Sequence, residues 1–416
     1  RKLDEPAAAL GHFQRFRASV GSTISLGRAG YWEGRAYEAL GQPLQAQAAY
    51  DFGAEFQTTF YGQLAAEKAG LPMDPRLTGS ESFPVPANAA FLRSGVYAAG
   101  KRLDEAGEEV LAARFFAHMA ESMSRAEIGQ MAATLEELNS PYIQLRIGKR
   151  AQRYGESLHR ALFPVLPISV QDRPGVSQAL ALAIARRESE FNAEVVSPAG
   201  ARGLMQVMPA TAEETAEALG LPYSRSRLTS DPAYNARLGT AYLVKLRRRF
   251  GDATIMVAAG YNAGPSRPPQ WIERYGDPRS GAVDPVDWIE SIPFRETRNY
   301  VMRVMESIGP YRARLSGETS EWALTRDLKA GCRRGLNPGF GLTGVAEIER
   351  MARMPLLCQA EMVRGNPGAP DQHLDLGPTV QMRAMGAPGA DHAVGPGTPL
   401  ADRRIVVAPG VYDGLT

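Results

Sequence analysis

Residues 176–192, VSQALALAIARRESEFN, combine a long apolar helical face with an acidic residue at its end. Val176, Leu180, Ile184 and Glu188 recur at every fourth position, and this spacing puts them on one stripe of an α-helix. Burial raises the pKa of a carboxyl group, and a carboxyl that is protonated near neutral pH can act as a general acid. The stripe therefore predicts a core helix and makes Glu188 a candidate catalytic acid. The alternative is a solvated glutamate at a helix end.

The composition is that of a globular protein without a strongly charged surface. The chain has 416 residues, of which 44% are hydrophobic and 22% charged, and this length allows two or three domains. A net charge of +2 does not indicate nucleic-acid binding, and no apolar run approaches the roughly 18 residues of a membrane span. The two cysteines and five histidines lack ligand spacing. We expect no metal, no cofactor, no nucleic-acid partner and no transmembrane segment.

Helical periodicity runs through most of the chain, which predicts an all-α or mainly α fold. Segments 29–56 and 96–123 each resemble a helix–turn–helix unit, with Gly41 and Gly107 at the turns, as in tetratricopeptide-like arrays. We predict four parts: an α-superhelical repeat region at 1–142, a linker at 143–170 that opens with a connecting helix, a second helical region at 171–318 and a Gly/Pro-rich, low-order tail at 319–416.

Four motifs follow one another in the second helical region. They are ARRESEFN at 185–192, SPAGARGLMQVMPATA at 197–212, AAGYNAGP at 258–265 and SIPFRETRNYV at 291–301. In this order and spacing they resemble the catalytic domain of soluble lytic murein transglycosylases, glycoside hydrolase family 23, over roughly 171–315. The repeat region, including TTFYGQLAAEKAGL at 58–71, resembles the α-superhelical part of the same proteins. The resemblance implies a superhelix followed by a lysozyme-like helical domain.

The resemblance also implies roles for individual residues. Glu188 would be the single catalytic acid and base, Tyr261 would face it, and Glu296 would be a second carboxylate in the cleft. For Met208 the alternative is core packing, and for Glu296 it is an exposed helix position. The candidate substrate-binding residues are Ser189, Ser197, Gly203, Gln206, Met208, Tyr261, Asn262, Glu296 and Tyr300.

The function implied by the resemblance is lytic transglycosylation of peptidoglycan. The enzyme would cleave the bond between N-acetylmuramic acid and N-acetylglucosamine and leave a 1,6-anhydromuramoyl product. Glu190 points to the other side of the helix and Glu194 lies beyond its end, so no nucleophile is evident beside Glu188 and the substrate would supply it. The alternatives are a lysozyme-like hydrolase of peptidoglycan or chitin that uses water, and a non-catalytic helical-repeat scaffold.

The expected partner, peptidoglycan, lies outside the cytoplasmic membrane. We therefore expect a periplasmic protein whose signal peptide precedes Arg1. We expect the tail at 319–416 to result from a read-through or a fusion, and we assign it no function.

Overall fold

The N-terminal half is a succession of α-helices, most of them joined by short turns, with a longer connection at 70–94. A computed structural model describes residues 4–330, and these residues fall within one compact unit. The helices of the N-terminal half are α1 (Pro6–Ser19), α2 (Thr23–Ala39), α3 (Pro43–Ala54), α4 (Phe60–Ala69), α5 (Gly95–Glu105), α6 (Glu109–Met119), α7 (Arg125–Thr134), α8 (Pro141–Arg153) and α9 (His159–Leu162). Short 3-10 helices occupy Pro75–Thr78, Ala90–Arg93 and Leu135–Leu138.

Glycine and proline set the turns that were predicted from the sequence. Gly41, with φ +67°, separates α2 from α3, and Pro43 starts α3 with a backbone angle that suits the first turn of a helix. Gly107, with φ +80°, has the same place between α5 and α6. Both predicted helix–turn–helix units are present.

The second half is also helical. Its helices are α10 (Gln178–Ser189), α11 (Pro209–Ala218), α12 (Arg227–Ser230), α13 (Pro232–Phe250), α14 (Thr254–Ala263), α15 (Arg267–Tyr275), α16 (Pro285–Ser291), α17 (Arg295–Ser316) and α18 (Leu324–Leu328). Between residues 4 and 330, β-structure is limited to two isolated bridges. The predicted mainly α fold class is confirmed.

Helix α17 is the central element of the second half. It packs against α10, α14 and α16, and on its other side against α4 of the repeat region and α18. One large core therefore joins α2–α4 to the whole second half, while a smaller core lies among α5–α9. Helix α8 contributes Leu145 to the large core and Ile143 and Ile147 to the small one, so it connects the two.

The start of α10 differs from the sequence expectation. Asp172 and Pro174 form a cap and first-turn pair, which predicts that the helix opens just after them. The helix instead begins at Gln178, with the Ser177 hydroxyl accepting a hydrogen bond from the Leu180 backbone at 3.2 Å. Val176 therefore lies outside the helix, although it is buried as predicted. Gly175, with φ +75°, interrupts the chain after Pro174, and Ser177 provides the N-cap of the helix.

Two predicted parts of the chain contain more structure than a linker or a tail suggests. Segment 143–170 holds most of α8, at the place of the predicted connecting helix, and all of α9 as well. Segment 319–330 holds α18, whose Leu324 and Leu328 are buried. The remainder of the predicted tail, 331–416, lies outside the described residues. Among residues 4–330, no helix has the length and apolar character needed to cross a membrane.

Candidate active site

Helix α10 is buried on nearly all sides until its last turn. The seven residues from Ala179 to Ala185 are each at most 3% exposed, and four of them are alanines, so α17 can pack closely along the helix. The sequence predicted one apolar stripe, whereas the structure buries the whole circumference, as in a helix at the centre of a domain. Polar residues begin at Arg186, and α10 thus carries Glu188 from the core to its edge.

Glu188 interacts with a tyrosine of α17. Tyr300, which is 2% exposed, donates its hydroxyl hydrogen to Glu188 Oε1 over 2.7 Å. Burial raises the pKa of Glu188 to about 7, against the lowering effects of the Tyr300 hydrogen bond and the Arg187 cation, and the Glu296 carboxylate raises it further. A carboxyl group with this pKa can both donate and accept a proton near neutral pH.

Tyr300 is held as a hydrogen-bond donor. Burial, followed by the charge of Glu188, raises the pKa of Tyr300 well above its ordinary value, so the phenol keeps its proton. The guanidinium carbon of Arg187 lies 5.9 Å from the centroid of the Tyr300 ring. The acid therefore faces a neutral donor on one side and a cation close by.

The loop between α10 and α11 is shaped by a buried asparagine of α13. Asn235, which is fully buried, accepts a hydrogen bond from the Met205 N–H and donates to the carbonyls of Arg202 and Leu228, each over 2.8 Å. Gly203, with φ +75°, fits against this network, because a Cβ there would lie 1.9 Å from the Leu228 carbonyl oxygen. Its lack of a side chain serves packing within the protein.

The two candidate serines, Ser189 and Ser197, hold backbone segments in place through hydrogen bonds of their hydroxyl groups. Ser189, 7% exposed, donates its hydroxyl to the Leu204 carbonyl at 2.7 Å and accepts from the Phe191 N–H at 3.1 Å. The Ser197 hydroxyl accepts from the Ala201 N–H at 3.0 Å and is nearly as buried. Ser189 ties the end of α10 to the loop, and Ser197 closes the turn at the loop tip.

Gln206 and Met208 lie further along the same loop. The Gln206 side-chain amide donates to the carbonyls of Val195 and Gly203, at 3.0 and 2.9 Å, and its backbone is left-handed with φ +48°. No hydrogen bond among the described residues uses its Oε1 atom, which leaves an acceptor for a ligand. Met208 is 43% exposed, so the alternative of core packing is wrong for this residue.

Tyr261, near the end of α14, lies close to Glu188 but does not share its hydrogen bond. Its hydroxyl donates to the Met205 carbonyl over 2.8 Å. Burial raises the pKa of Tyr261 well above its ordinary value, and the Glu188 charge adds to this rise. Tyr300, rather than Tyr261, is therefore the phenol that contacts the acid directly in this structure.

Asn262 and Glu296 complete the set of candidates. The Asn262 Oδ1 atom accepts a hydrogen bond from the buried Thr297 hydroxyl over 2.6 Å, which links α14 to α17. Glu296 lies in the first turn of α17 and is partly buried, and its charge reaches Glu188. The structure thus brings Glu188, Tyr261, Glu296 and Tyr300 together.

Sequence reasoning did not find the interactions of Glu190. This residue follows α10 with φ +56° and forms ion pairs with two residues of α8, Arg146 at 3.1 Å and Lys149. Burial opposes ionisation, but Lys149 and Arg146 prevail and lower the pKa of Glu190 to about 2. The pKa values of two glutamates only two residues apart are thus shifted in opposite directions, upward for Glu188 and downward for Glu190.

Asn235 and Arg187 are further residues that sequence reasoning missed. Asn235 shares a helix face with Leu238, and a polar residue on an apolar face was the available signal. Arg187 had no signal beyond its position before Glu188. Within residues 4–330, no group of three or more His, Cys, Asp or Glu side chains could hold a metal ion.

Comparison with known proteins identifies a domain family that matches part of this region. Residues 166–281 match the model of the transglycosylase SLT domain. A soluble lytic murein transglycosylase of Escherichia coli K12 is 44% identical over 138 residues, 33% of this chain and 21% of that protein. The corresponding protein of Salmonella typhimurium LT2 is 32% identical over 256 residues, 61% of this chain and 39% of that protein. The chain thus matches well under half the length of these curated relatives.

A solved structure extends the similarity to the fold. The lytic transglycosylase Slt from Pseudomonas aeruginosa, determined as an inactive mutant with a glutamate changed to glutamine, has a TM-score of 0.60 and 27% identity. The match covers 76% of this chain and 50% of that one. It includes far more than residues 166–281, which stop before Glu296 and Tyr300. The fold, a superhelical region followed by a lysozyme-like helical domain, and the resemblance to soluble lytic murein transglycosylases are therefore confirmed, with residues 166–281 as the SLT domain.

Proposed function

We propose that this protein is a lytic transglycosylase that cleaves the β-1,4 bond between N-acetylmuramic acid and N-acetylglucosamine and forms a 1,6-anhydromuramoyl product. The observation that carries the proposal is the state of Glu188. Its pKa is raised to about 7, and its hydrogen-bond partner is a phenol rather than a cation. The names of the related proteins support the same reaction.

In the first step, Glu188 acts as the acid. Its proton passes to the glycosidic oxygen as the bond from this oxygen to the muramoyl C1 breaks, and N-acetylglucosamine leaves as an alcohol. The carbonyl oxygen of the muramoyl N-acetyl group donates electron density to C1 and stabilises its positive charge. The Tyr300 hydrogen bond stabilises the carboxylate that Glu188 becomes.

In the second step, Glu188 acts as the base. It removes the proton of the muramoyl C6 hydroxyl, whose oxygen bonds to C1 and releases the N-acetyl oxygen. Glu188 returns to its protonated state, and no water is consumed. A single group can serve both steps because its pKa lies close to the working pH.

The neighbouring carboxylates support a reaction in which the substrate supplies the nucleophile. Glu190 is engaged by Lys149 and Arg146, and Glu194 is exposed beyond the helix end. Glu296 is close enough to raise the pKa of Glu188, so its negative charge favours the protonated acid. We assign Glu296 to keeping Glu188 protonated and to orienting the substrate.

The remaining candidates bind the glycan strand or shape the cleft. Gln206 offers its unused Oε1 atom and Met208 an exposed apolar surface beside it. Ser189, Ser197 and Gly203 hold the loop that presents these two side chains. Because peptidoglycan lies outside the cytoplasmic membrane, we place the protein in the periplasm.

The reaction is tested by mass spectrometry of products released from purified peptidoglycan. Transglycosylation predicts anhydromuropeptides, each lighter by one water than the product of hydrolysis. Products with reducing muramic acid ends would instead show a lysozyme-like hydrolase, and the absence of any released product would favour a non-catalytic scaffold. The Glu188→Gln protein, digested in parallel, controls for contaminating enzymes.

A further inference from the structure

The turn that follows the catalytic helix is held from outside the lysozyme-like domain. Arg146 and Lys149 lie three residues apart on α8, so they share one face of that helix. Both contact the Glu190 carboxylate, Arg146 on Oε2 and Lys149 on Oε1. Each carboxylate oxygen thus has its own cation, and Glu190 is anchored at two points.

The backbone at this turn is unusual. Glu190 and Phe191 both have positive φ, +56° and +72°, a region that residues with a side chain rarely occupy. Two such residues in succession are strained and persist only where surrounding contacts hold them. Phe191 is held by its burial and by its N–H bond to the Ser189 hydroxyl. Glu190 is held by the two cations of α8.

This turn determines where α10 ends. The helix stops at Ser189, whose hydroxyl then reaches the Leu204 carbonyl of the cleft loop. If the turn at Glu190 relaxed to a helical conformation, the chain would continue along the axis of α10. The contact between Ser189 and the loop would open, and Glu188, one residue earlier, would lose its fixed direction toward Tyr300.

We propose that Glu190, clamped by Arg146 and Lys149, is a positioning residue for the acid Glu188, and that it couples α8 to the active site. The inference rests on the proposed function of Glu188. Helix α8 packs in both hydrophobic cores, so the clamp connects the packing of the repeat region to the geometry of the acid.

The charges around the two carboxylates indicate that the coupling acts through position. Glu190 faces Arg146, Lys149 and Tyr142, all on α8. Glu188 faces a different set: Arg187 on its own helix, Glu296 and Tyr300 on α17, and Tyr261 on α14. Arg187 and Glu296 are the charges that shift the pKa of Glu188, and Arg187 also acts on the pKa of Lys149. Loss of the Lys149 cation alone would raise the pKa of Glu188, so a fall of this pKa in Lys149→Met would report movement of the acid.

A matched pair of variants separates the ion pair from the backbone preference. Aspartate and asparagine both tolerate the left-handed conformation, but only aspartate keeps the charge. We expect Glu190→Asn to lower kcat about tenfold with KM within about twofold, since misplacement of a catalytic group reduces turnover more than binding. Glu190→Asp should stay much closer to the unchanged protein. Glu194→Gln, an exposed carboxyl in the same loop, is the control for a lost charge.

The titration of Glu188, followed by NMR of its side-chain carboxyl carbon in the full chain, tests the inference without a substrate. In Glu190→Asn the acid gains contact with water, so its pKa should fall from about 7 toward the ordinary value of 4.5. Lys149→Met, which leaves one cation of the clamp, should give a smaller fall and replaces Glu190→Asn if that variant does not fold.

The inference is overturned if Glu190→Asn has the same kcat and the same Glu188 pKa as Glu190→Asp, even if Glu190→Asn melts at a lower temperature. That result would give Glu190 a structural role alone. If the unchanged protein releases no product from peptidoglycan, the proposed function fails, yet the NMR titration still decides whether the clamp positions Glu188.

Discussion

Helix α17 contacts two buried carboxyl groups, one of its own and one of α10, and it binds them differently. Glu306, in the middle of α17, is 4% exposed and accepts hydrogen bonds from Arg303, at 2.8 and 2.9 Å, and from the Phe60 N–H at the start of α4, at 2.8 Å. Nearer the N-terminus of α17, Tyr300 donates a single hydrogen bond to Glu188 over 2.7 Å.

The different partners of Glu306 and Glu188 distinguish a carboxylate that stabilises the fold from a carboxyl group that can transfer a proton. Glu306 is bound by the Arg303 cation and by a backbone N–H at the N-terminus of α4. Glu188 has a neutral phenol, with Arg187 and Glu296 opposing each other, and its pKa is raised to about 7. Full pairing makes a carboxylate a fixed part of the fold, whereas partial pairing leaves a proton that can be transferred.

The largest effect should come from removing the acid itself. Glu188→Gln keeps the shape of the side chain but cannot exchange a proton, and we expect turnover of peptidoglycan to fall about a thousandfold. Release of anhydromuropeptides measures turnover, and binding of isolated glycan strands should change little. More than a few per cent of residual activity would show that another group is the acid.

The same variant should change how stability depends on pH. The pKa of Glu188 is raised from 4.5 to about 7, so the folded state holds a proton that the unfolded state releases in this range, and stability is lost as pH rises through it. Above pH 7 this difference in pKa lowers the free energy of unfolding by about 3 kcal/mol. Urea unfolding at pH 4 and pH 8 should show Glu188→Gln gaining stability over the unchanged protein only at pH 8. An equal difference at both pH values would contradict the raised pKa.

For Glu306, in the middle of α17, the expected loss is one of stability. Glu306→Gln leaves the partly buried Arg303 without its anion and changes a buried acceptor of the Phe60 N–H, and we expect about 2 kcal/mol less free energy of unfolding. Urea unfolding at pH 7 measures it, with Glu318→Gln, an exposed residue after α17, as the control. The kcat of the folded Glu306→Gln protein should be unchanged, and a large fall in kcat without a loss of stability would remove the distinction between Glu306 and Glu188.

The smallest effect is expected at Tyr300. The Tyr300 hydrogen bond lowers the pKa of Glu188, so Tyr300→Phe should raise this pKa above about 7 and move the pH dependence of kcat/KM to higher pH. At neutral pH we expect a loss of about tenfold or less, because Glu188 then releases its proton less readily. Tyr311→Phe is the control, because Tyr311 is buried on the same helix and its hydroxyl has no hydrogen-bond partner among the described residues. A pH profile unchanged by Tyr300→Phe would mean that the phenol does not influence the acid.

The sequence predicted the elements well because their signals are local. Gly41 and Gly107 mark turns through a backbone angle that few other residues adopt, and both turns are present. The first residue of a helix was harder to predict where two possible caps lie close together in the sequence. Asp172 and Pro174 resemble a helix start, but Ser177 is the residue that caps α10.

The site was predicted as a set of residues more successfully than as a set of contacts. The apolar stripe led to Glu188, and burial does raise its pKa. Which tyrosine contacts the acid depends on how α14 and α17 pack, and the sequence does not encode this at short range. The partners of Glu190, more than 40 residues away on α8, and the bonds of Asn235 to the loop are long-range contacts for the same reason.

The asparagine that holds the cleft loop has a consequence for ligand binding. Asn235 fixes the backbone at Met205 and Arg202 from within α13, and Gly203 locks against Leu228. The loop therefore has a fixed shape without a ligand, and in the proposed function the binding of a glycan would not have to order it. A glycan strand would lose its own conformational freedom on binding, while the protein would contribute little to the entropic cost.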